Sequence, residues 1–196
     1  EVPAEVLDGR VEKLRAAMVE AGMDALLLYN NFPRPAAVSW LTHFIPYWSQ
    51  GVLVLPATGA LEYFVSLSKR VAGWIDETSH MGEIVSTPRP GADLAKRLEG
   101  AKRVGVLELN KLPGGIAHPL LAGLPGVELV DATDTYRSVR HPADPTEIAI
   151  SRKAAILARD CLDAAYENAD YVQTGPLTAA IEGPARLAGA EEVIVE

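Results

Sequence analysis

The chain has 196 residues, of which 48% are hydrophobic and 22% charged, and a formal net charge of −8. This is the composition of an ordinary globular protein, and its acidic balance argues against nucleic acid or an anionic membrane as partner. No apolar run approaches the roughly 20 residues of a membrane-spanning helix. The opening Glu1-Val2-Pro3-Ala4-Glu5 is acidic where a secretory leader would be apolar, so none is expected. The single cysteine, Cys161, cannot close an internal disulfide. That fits a reducing compartment, and a cytoplasmic location is expected.

In chain order, Asp8 suits a helix N-cap, and Val11, Leu14, Met18 and Ala21 follow at helical spacing up to a stop at Gly22. Residues 24–29 (Asp-Ala-Leu-Leu-Leu-Tyr) read as a strand apolar on both faces. A loop over 30–35 and a short helix over 36–41 come next. Residues 51–55 and 61–65 are predicted strands joined by a hairpin loop, Pro56 to Ala60. Residues 66–74 read as helix, 83–85 as strand, 93–98 as helix and 103–107 as strand. The Pro113-Gly114-Gly115 turn opens a helix to Leu121, residues 127–131 form a strand, and 133–139 a helix. The predicted class is therefore α/β, with a mixed sheet of about six strands flanked by helices.

A boundary is expected near residue 141, where Pro142 and Pro145 break the chain. Asp144 then caps a new helix, Pro145 takes its first position, and Glu147 occupies the capping-box place. This helix, predicted to about Ala169, carries two apolar stripes. One holds Ile148, Ala155, Leu162 and Ala165; the other holds Ile150, Ala154, Leu157, Cys161 and Ala164. Two stripes call for two burial partners. A helix over about 177–187 precedes a terminal segment, Gly189 to Glu196, that reads as a strand. A strand needs a neighbour for its backbone groups, so further residues are expected to follow.

Several segments together resemble the creatinase, prolidase and Xaa-Pro aminopeptidase family. They are Arg10…Leu14…Met18…Ala21-Gly22-Met23-Asp24-Ala25-Leu26-Leu27; Ser39-Trp40-Leu41-Thr42-His43-Phe44, similar to a Tyr-Leu-Thr-Gly-Phe segment; Arg103 to Glu108; and Val139-Arg140 through Glu147-Ile148 with Arg152, Ala154 and Ala155. His43 stands where the family usually has glycine, and Gly175-Pro176-Leu177-Thr178 replaces a commoner Gly-x-Thr-Glu. The resemblance implies a ribonuclease-H-like N-terminal domain over 1–141. Residues 142–196 would then be the linker, first helices and first strand of a "pita-bread" catalytic domain. It also implies a homodimer acting on Xaa-Pro peptides, creatine or another small amide. In peptidase members two divalent metals, often manganese or cobalt, are held by Asp, His and Glu ligands that lie beyond this sequence. No cofactor and no catalytic residue is expected within it.

The histidines, His43, His80, His118 and His141, have no metal-binding spacing, and Ser39, Ser66 and Ser68 lie in no Gly-x-Ser-x-Gly motif. Cys161 sits on an apolar stripe and reads as a small core residue. The residues singled out are in the loop Trp40 to Gln50, which holds four of the chain's twelve aromatic residues in nine positions. Trp40 reads as core. Phe44, Tyr47 and Trp48 fit either packing or a binding surface, for which a proline-containing loop rich in Tyr and Trp is suited. The resemblance implies that His43, Phe44, Tyr47 and Trp48 reach the partner subunit and wall its substrate pocket. The expected function is thus the dimerisation and substrate-gating region of a hydrolase, inactive by itself. The alternative is a free-standing domain that binds a partner without catalysis.

Overall fold

The computed structural model describes residues 2–46, 49–170, 173–190 and 193–194. It divides into two compact units, Glu1–Pro142 and Ala143–Glu196. The first unit contains helix α1 (Ala4–Glu20), strand β1 (Ala25–Asn31), α2 (Ala36–Thr42), β2 (Gln50–Pro56), β3 (Glu62–Val65), α3 (Ala72–Thr78), β4 (Glu83–Ser86), α4 (Pro90–Arg97), β5 (Arg103–Val106), α5 (Gly114–Gly123), β6 (Glu128–Asp131) and α6 (Thr133–Arg140). The second holds α7 (Pro145–Glu167) and α8 (Thr174–Leu187).

The six strands form one mixed sheet in the order β4-β3-β2-β1-β5-β6. β1–β2 and, through the hairpin, β2–β3 are antiparallel, while β3–β4, β1–β5 and β5–β6 are parallel. Alternation along β1 sends Leu26 and Leu28 to one face and Ala25 and Leu27 to the other. The first face is covered by α1 through Val11, Leu14 and Met18, by α2 through Val38 and Leu41, by α3 through Ile75, and by α6 through Tyr136 and Val139. The second is covered by α4 through Leu94 and by α5 through Ile116 and Leu120. Full burial of each such side chain contributes roughly 1.5–3 kcal/mol.

Trp40 shows how three helices lock together. Its indole lies 5.2 Å from the Arg10 guanidinium of α1 and 5.5 Å from that of Arg140 at the end of α6. The edge of Tyr136 meets it at 5.8 Å. Arg10, itself buried, donates from Nη1 to the Trp40 carbonyl at 2.7 Å. Cation–π contacts with desolvated guanidinium groups are the stronger kind.

Some predicted boundaries move for local reasons. Helix α1 begins one turn before Asp8, because the Pro3 carbonyl accepts from the Val6 and Leu7 N–H groups. Asp8 is therefore not the N-cap, and its carboxylate meets His80 at 2.6 Å. The helix expected over 66–74 is a 3-10 turn, Lys69–Val71, capped by the Ser68 hydroxyl, followed by α3. Pro90 at the first position starts α4 earlier than Asp93. In the second unit Asp144 caps α7 as expected, with Oδ1 accepting from Glu147 N–H at 2.8 Å. Helices α7 and α8 pack against each other. Cys161 is buried, whereas Ile148, Ile150 and Leu162 remain exposed. The strand expected over 189–196 falls partly on Glu191, Glu192, Val195 and Glu196, outside the described residues; Val193 and Ile194 are not in a strand.

Asp24 fastens the start of the central strands. Its Oδ2 accepts from the backbone N–H groups of Lys102 (2.7 Å) and Arg103 (3.0 Å). The Arg103 bond, then the Lys102 bond, holds the carboxyl below the ordinary aspartate range. A group whose folded-state pKa is depressed contributes stability that is complete above its unfolded value. That contribution is lost as the pH falls through the folded value. Urea unfolding at stepped pH should therefore show stability declining below about pH 4. Asp24→Asn, which keeps an acceptor but cannot titrate, should make that decline shallower; an unchanged acid limb would show that Asp24 contributes nothing. Trp40→Ala should cost about 3–5 kcal/mol of unfolding free energy.

Candidate functional site

The loop leaving α2 is built from beneath. Helix α2 ends in a left-handed residue, His43, with φ 58° and ψ 27°, whose N–H donates to the Ser39 carbonyl at 2.8 Å. This is the conformation in which glycine avoids a steric cost of roughly 1–2 kcal/mol. It accounts physically for the glycine at this place in the resembling segment. Here the half-buried imidazole occupies the turn instead. The turn is also pinned from outside, because His80 N–H donates to the Thr42 carbonyl at 2.8 Å.

Phe44 turns inward and is only 2% exposed. Its ring meets Tyr63 edge-on at 5.6 Å and Trp74 at 6.1 Å. Tyr63 is itself fully buried, and its hydroxyl donates to Asn30 Oδ1 at 2.8 Å. Burial pushes this phenol well above the ordinary tyrosine range, so it serves as a neutral donor. To reach Asn30 the ring crosses Gly51, where an added Cβ would lie 2.3 Å from the phenol. Strands β1, β2 and β3 thus fix Phe44, and Phe44 fixes the first residues of the loop.

Of the four residues singled out from the sequence, the structure places His43 at the turn and Phe44 in the core. Phe44 therefore supports the loop and does not itself face outward. Tyr47 and Trp48 lie outside the described residues. Among the described residues no group of three or more His, Cys, Asp or Glu could hold a metal ion. The metal pair implied by the resemblance is expected to draw its ligands from beyond this sequence. What the described residues of this arrangement do is fix the root of the loop in place, through the bonds of His43 and His80 and the packing of Phe44. Sequence reasoning missed a second place, where Tyr29, Arg34, Glu108, Tyr136 and Arg137 converge around a cleft. They come from four separate segments, and no local motif joins them.

The chain belongs to the creatinase/prolidase N-terminal domain family, whose sequence model matches residues 10–141. No curated protein matches the sequence. Among solved structures it resembles the prolidase from Pyrococcus horikoshii OT3, with a TM-score of 0.73 at 22% identity over 93% of this chain and 50% of that one. The Xaa-Pro dipeptidase from Bacillus anthracis gives 0.71 at 19% identity, over 95% and 50%. The N-terminal domain of the cytoplasmic peptidase PepQ from Mycobacterium tuberculosis H37Rv gives 0.54 at 23% identity, over 67% of this chain and 98% of that one. At these identities the likeness is one of fold. The chain spans about half the length of the first two proteins.

The Tyr63 brace gives a direct test. Gly51→Ala forces the phenol aside and should destabilise the protein by about 1–3 kcal/mol. Gly9→Ala, inside α1 with open space around it, should stabilise it by roughly 0.5–1 kcal/mol. Chemical denaturation of both variants would reveal the difference; equal effects would mean that Tyr63 is not held over Gly51.

Proposed function

We propose that this chain is the non-catalytic N-terminal part of a Xaa-Pro dipeptidase or aminopeptidase-like hydrolase. In this reading it supports a homodimer, and its loop from His43 through Trp48 walls the partner subunit's substrate pocket. The metal chemistry belongs to the second half of the full-length enzyme, where two divalent ions would activate water and polarise the scissile carbonyl. The substrate class is a peptide or small amide. A cytoplasmic setting agrees with the single cysteine.

The family match over residues 10–141 carries this reading. Two features of the structure support it. The root of the loop is rigid through Phe44, Tyr63 and Trp74, as a specificity wall requires. In addition, α7 exposes Ile148 and Leu162 on one of its apolar stripes and Ile150 on the other, surfaces suited to packing against the rest of a catalytic domain.

The chain should give no turnover of Xaa-Pro dipeptides or creatine in the presence of manganese. Activity that co-purifies with it and scales with its concentration would overturn the proposal. In the full-length protein, Trp48→Ala should lower kcat/KM at least ten-fold, since losing an anchoring aromatic commonly costs about 2 kcal/mol. Metal content and thermal stability should stay unchanged. A wild-type kcat/KM would reduce the loop to a packing element.

A further inference from the structure

A cleft of about 330 Å³ opens at the carboxyl ends of β1 and β5. These strands are parallel neighbours, yet the chain leaves them toward opposite faces of the sheet. After β1, α2 packs on the face of Leu26 and Leu28; after β5, α5 packs on the face of Leu27 and Val106. The connections diverge and leave a crevice between them. In open α/β sheets, ligands bind in the crevice outside the carboxyl ends of the strands, where the connections change face in this way.

The walls are chemically mixed. Tyr29 and Tyr136 are half-buried, and Leu107 with the Pro33–Ala37 segment adds apolar surface. Arg34 and Arg137 stand exposed at the rim. Glu108 contributes the single carboxylate, which pairs with Lys111. Counted over the lining residues, two arginines stand against one glutamate; Arg137 also lies 3.9 Å from the Asp134 carboxylate, and Arg34 donates to the Lys111 carbonyl at 3.5 Å. Among the described residues Glu108 is also one of two non-glycine residues with positive φ, at 50°. It is held there by the 3.0 Å hydrogen bond from its N–H to the Thr133 hydroxyl. Left-handed non-glycine backbone costs free energy and gathers at ligand sites.

We propose that this cleft binds a small carboxylate with an apolar ring or chain. The tyrosines and Leu107 would enclose its body, and Arg34 and Arg137 would take its carboxylate by charge-assisted hydrogen bonds. The volume lies at the small end of ligand pockets, which suits an amino-acid-sized acid. The inference stands on the sheet topology and lining chemistry, independently of any hydrolase role.

The test is an NMR titration of the 196-residue chain with phenylacetate, with neutral phenylacetamide as control. A second arm compares the tripeptide Ala-Ala-Phe with its C-terminal amide. Saturable shifts of the Tyr29, Leu107, Glu108 and Tyr136 amides with an acid, but not with its amide, are expected. The arm that responds tells a free small acid from a peptide terminus. Arg34→Gln with Arg137→Gln should weaken binding about ten-fold or more, with an unchanged thermal midpoint showing that the fold is intact. No saturable shift with either acid, equal response to acid and amide, or undiminished binding in the folded double variant would overturn the proposal.

Discussion

The first unit depends on a single constraint: β1 must be buried on both faces and bonded on both edges. Its register runs from Ala25 opposite Pro56 on one side and opposite Val104 on the other. Asp24, just ahead of it, gathers the ends of three strands. It accepts from Lys102 and Arg103 through its carboxylate, donates its N–H to the Arg103 carbonyl, and offers its own carbonyl to Ala57. A slip of one residue in β1 would exchange its two faces and place Leu27 where Leu26 and Leu28 now meet α1 and α2. The exposed carboxylate of Asp24 adds little as a charge. Its importance is that it satisfies backbone donors at the point where the parallel and antiparallel halves of the sheet meet.

From that fixed strand the functional geometry follows. At its far end Asn30 receives the Tyr63 hydroxyl, Tyr63 meets Phe44, and Phe44 meets Trp74. The chain therefore leaves α2 with its first aromatic residue already committed to the core. The next strand, β5, departs to the other face, and the divergence opens the cleft between Tyr29, Leu107 and Tyr136. The course of the loop after α2 and the cleft are thus two consequences of one sheet arrangement. The cleft uses residues at and just past strand ends, where side chains are free to serve something other than packing.

The fold was legible because its elements carry local signals in the sequence. The five-residue apolar core of β1, the Pro56–Ala60 hairpin loop and the Asp144-Pro145 helix start each carry a local signal, and each lies where it was expected. The α/β class, the mixed sheet and the family resemblance all rest on such signals. The errors share a cause, which is that partners distant in sequence decide. Asp8 looks like a cap, but Pro3 already starts the helix, and Asp8 pairs with His80, 72 positions away. Phe44 looks like a loop aromatic, yet Tyr63 and Trp74 draw it inside. The left-handed conformations of His43 and Glu108 leave no mark in residue identity, since neither is glycine. The cleft was invisible for the same reason, because it exists only once β1, β5 and α6 are side by side.

The central claim is that this domain serves the neighbouring subunit's pocket and not its own. Mixed dimers of the full-length protein test it most directly. One protomer would carry Trp48→Ala with an intact metal centre; the other would keep Trp48 but have its metal ligands removed. Each variant alone should form a weakly active or inactive homodimer. If the loop acts across the interface, mixing should restore activity, because the intact metal centre then faces the intact loop of its partner. If mixing restores nothing while mixed dimers are shown to form, the loop does not act in trans and the account is contradicted.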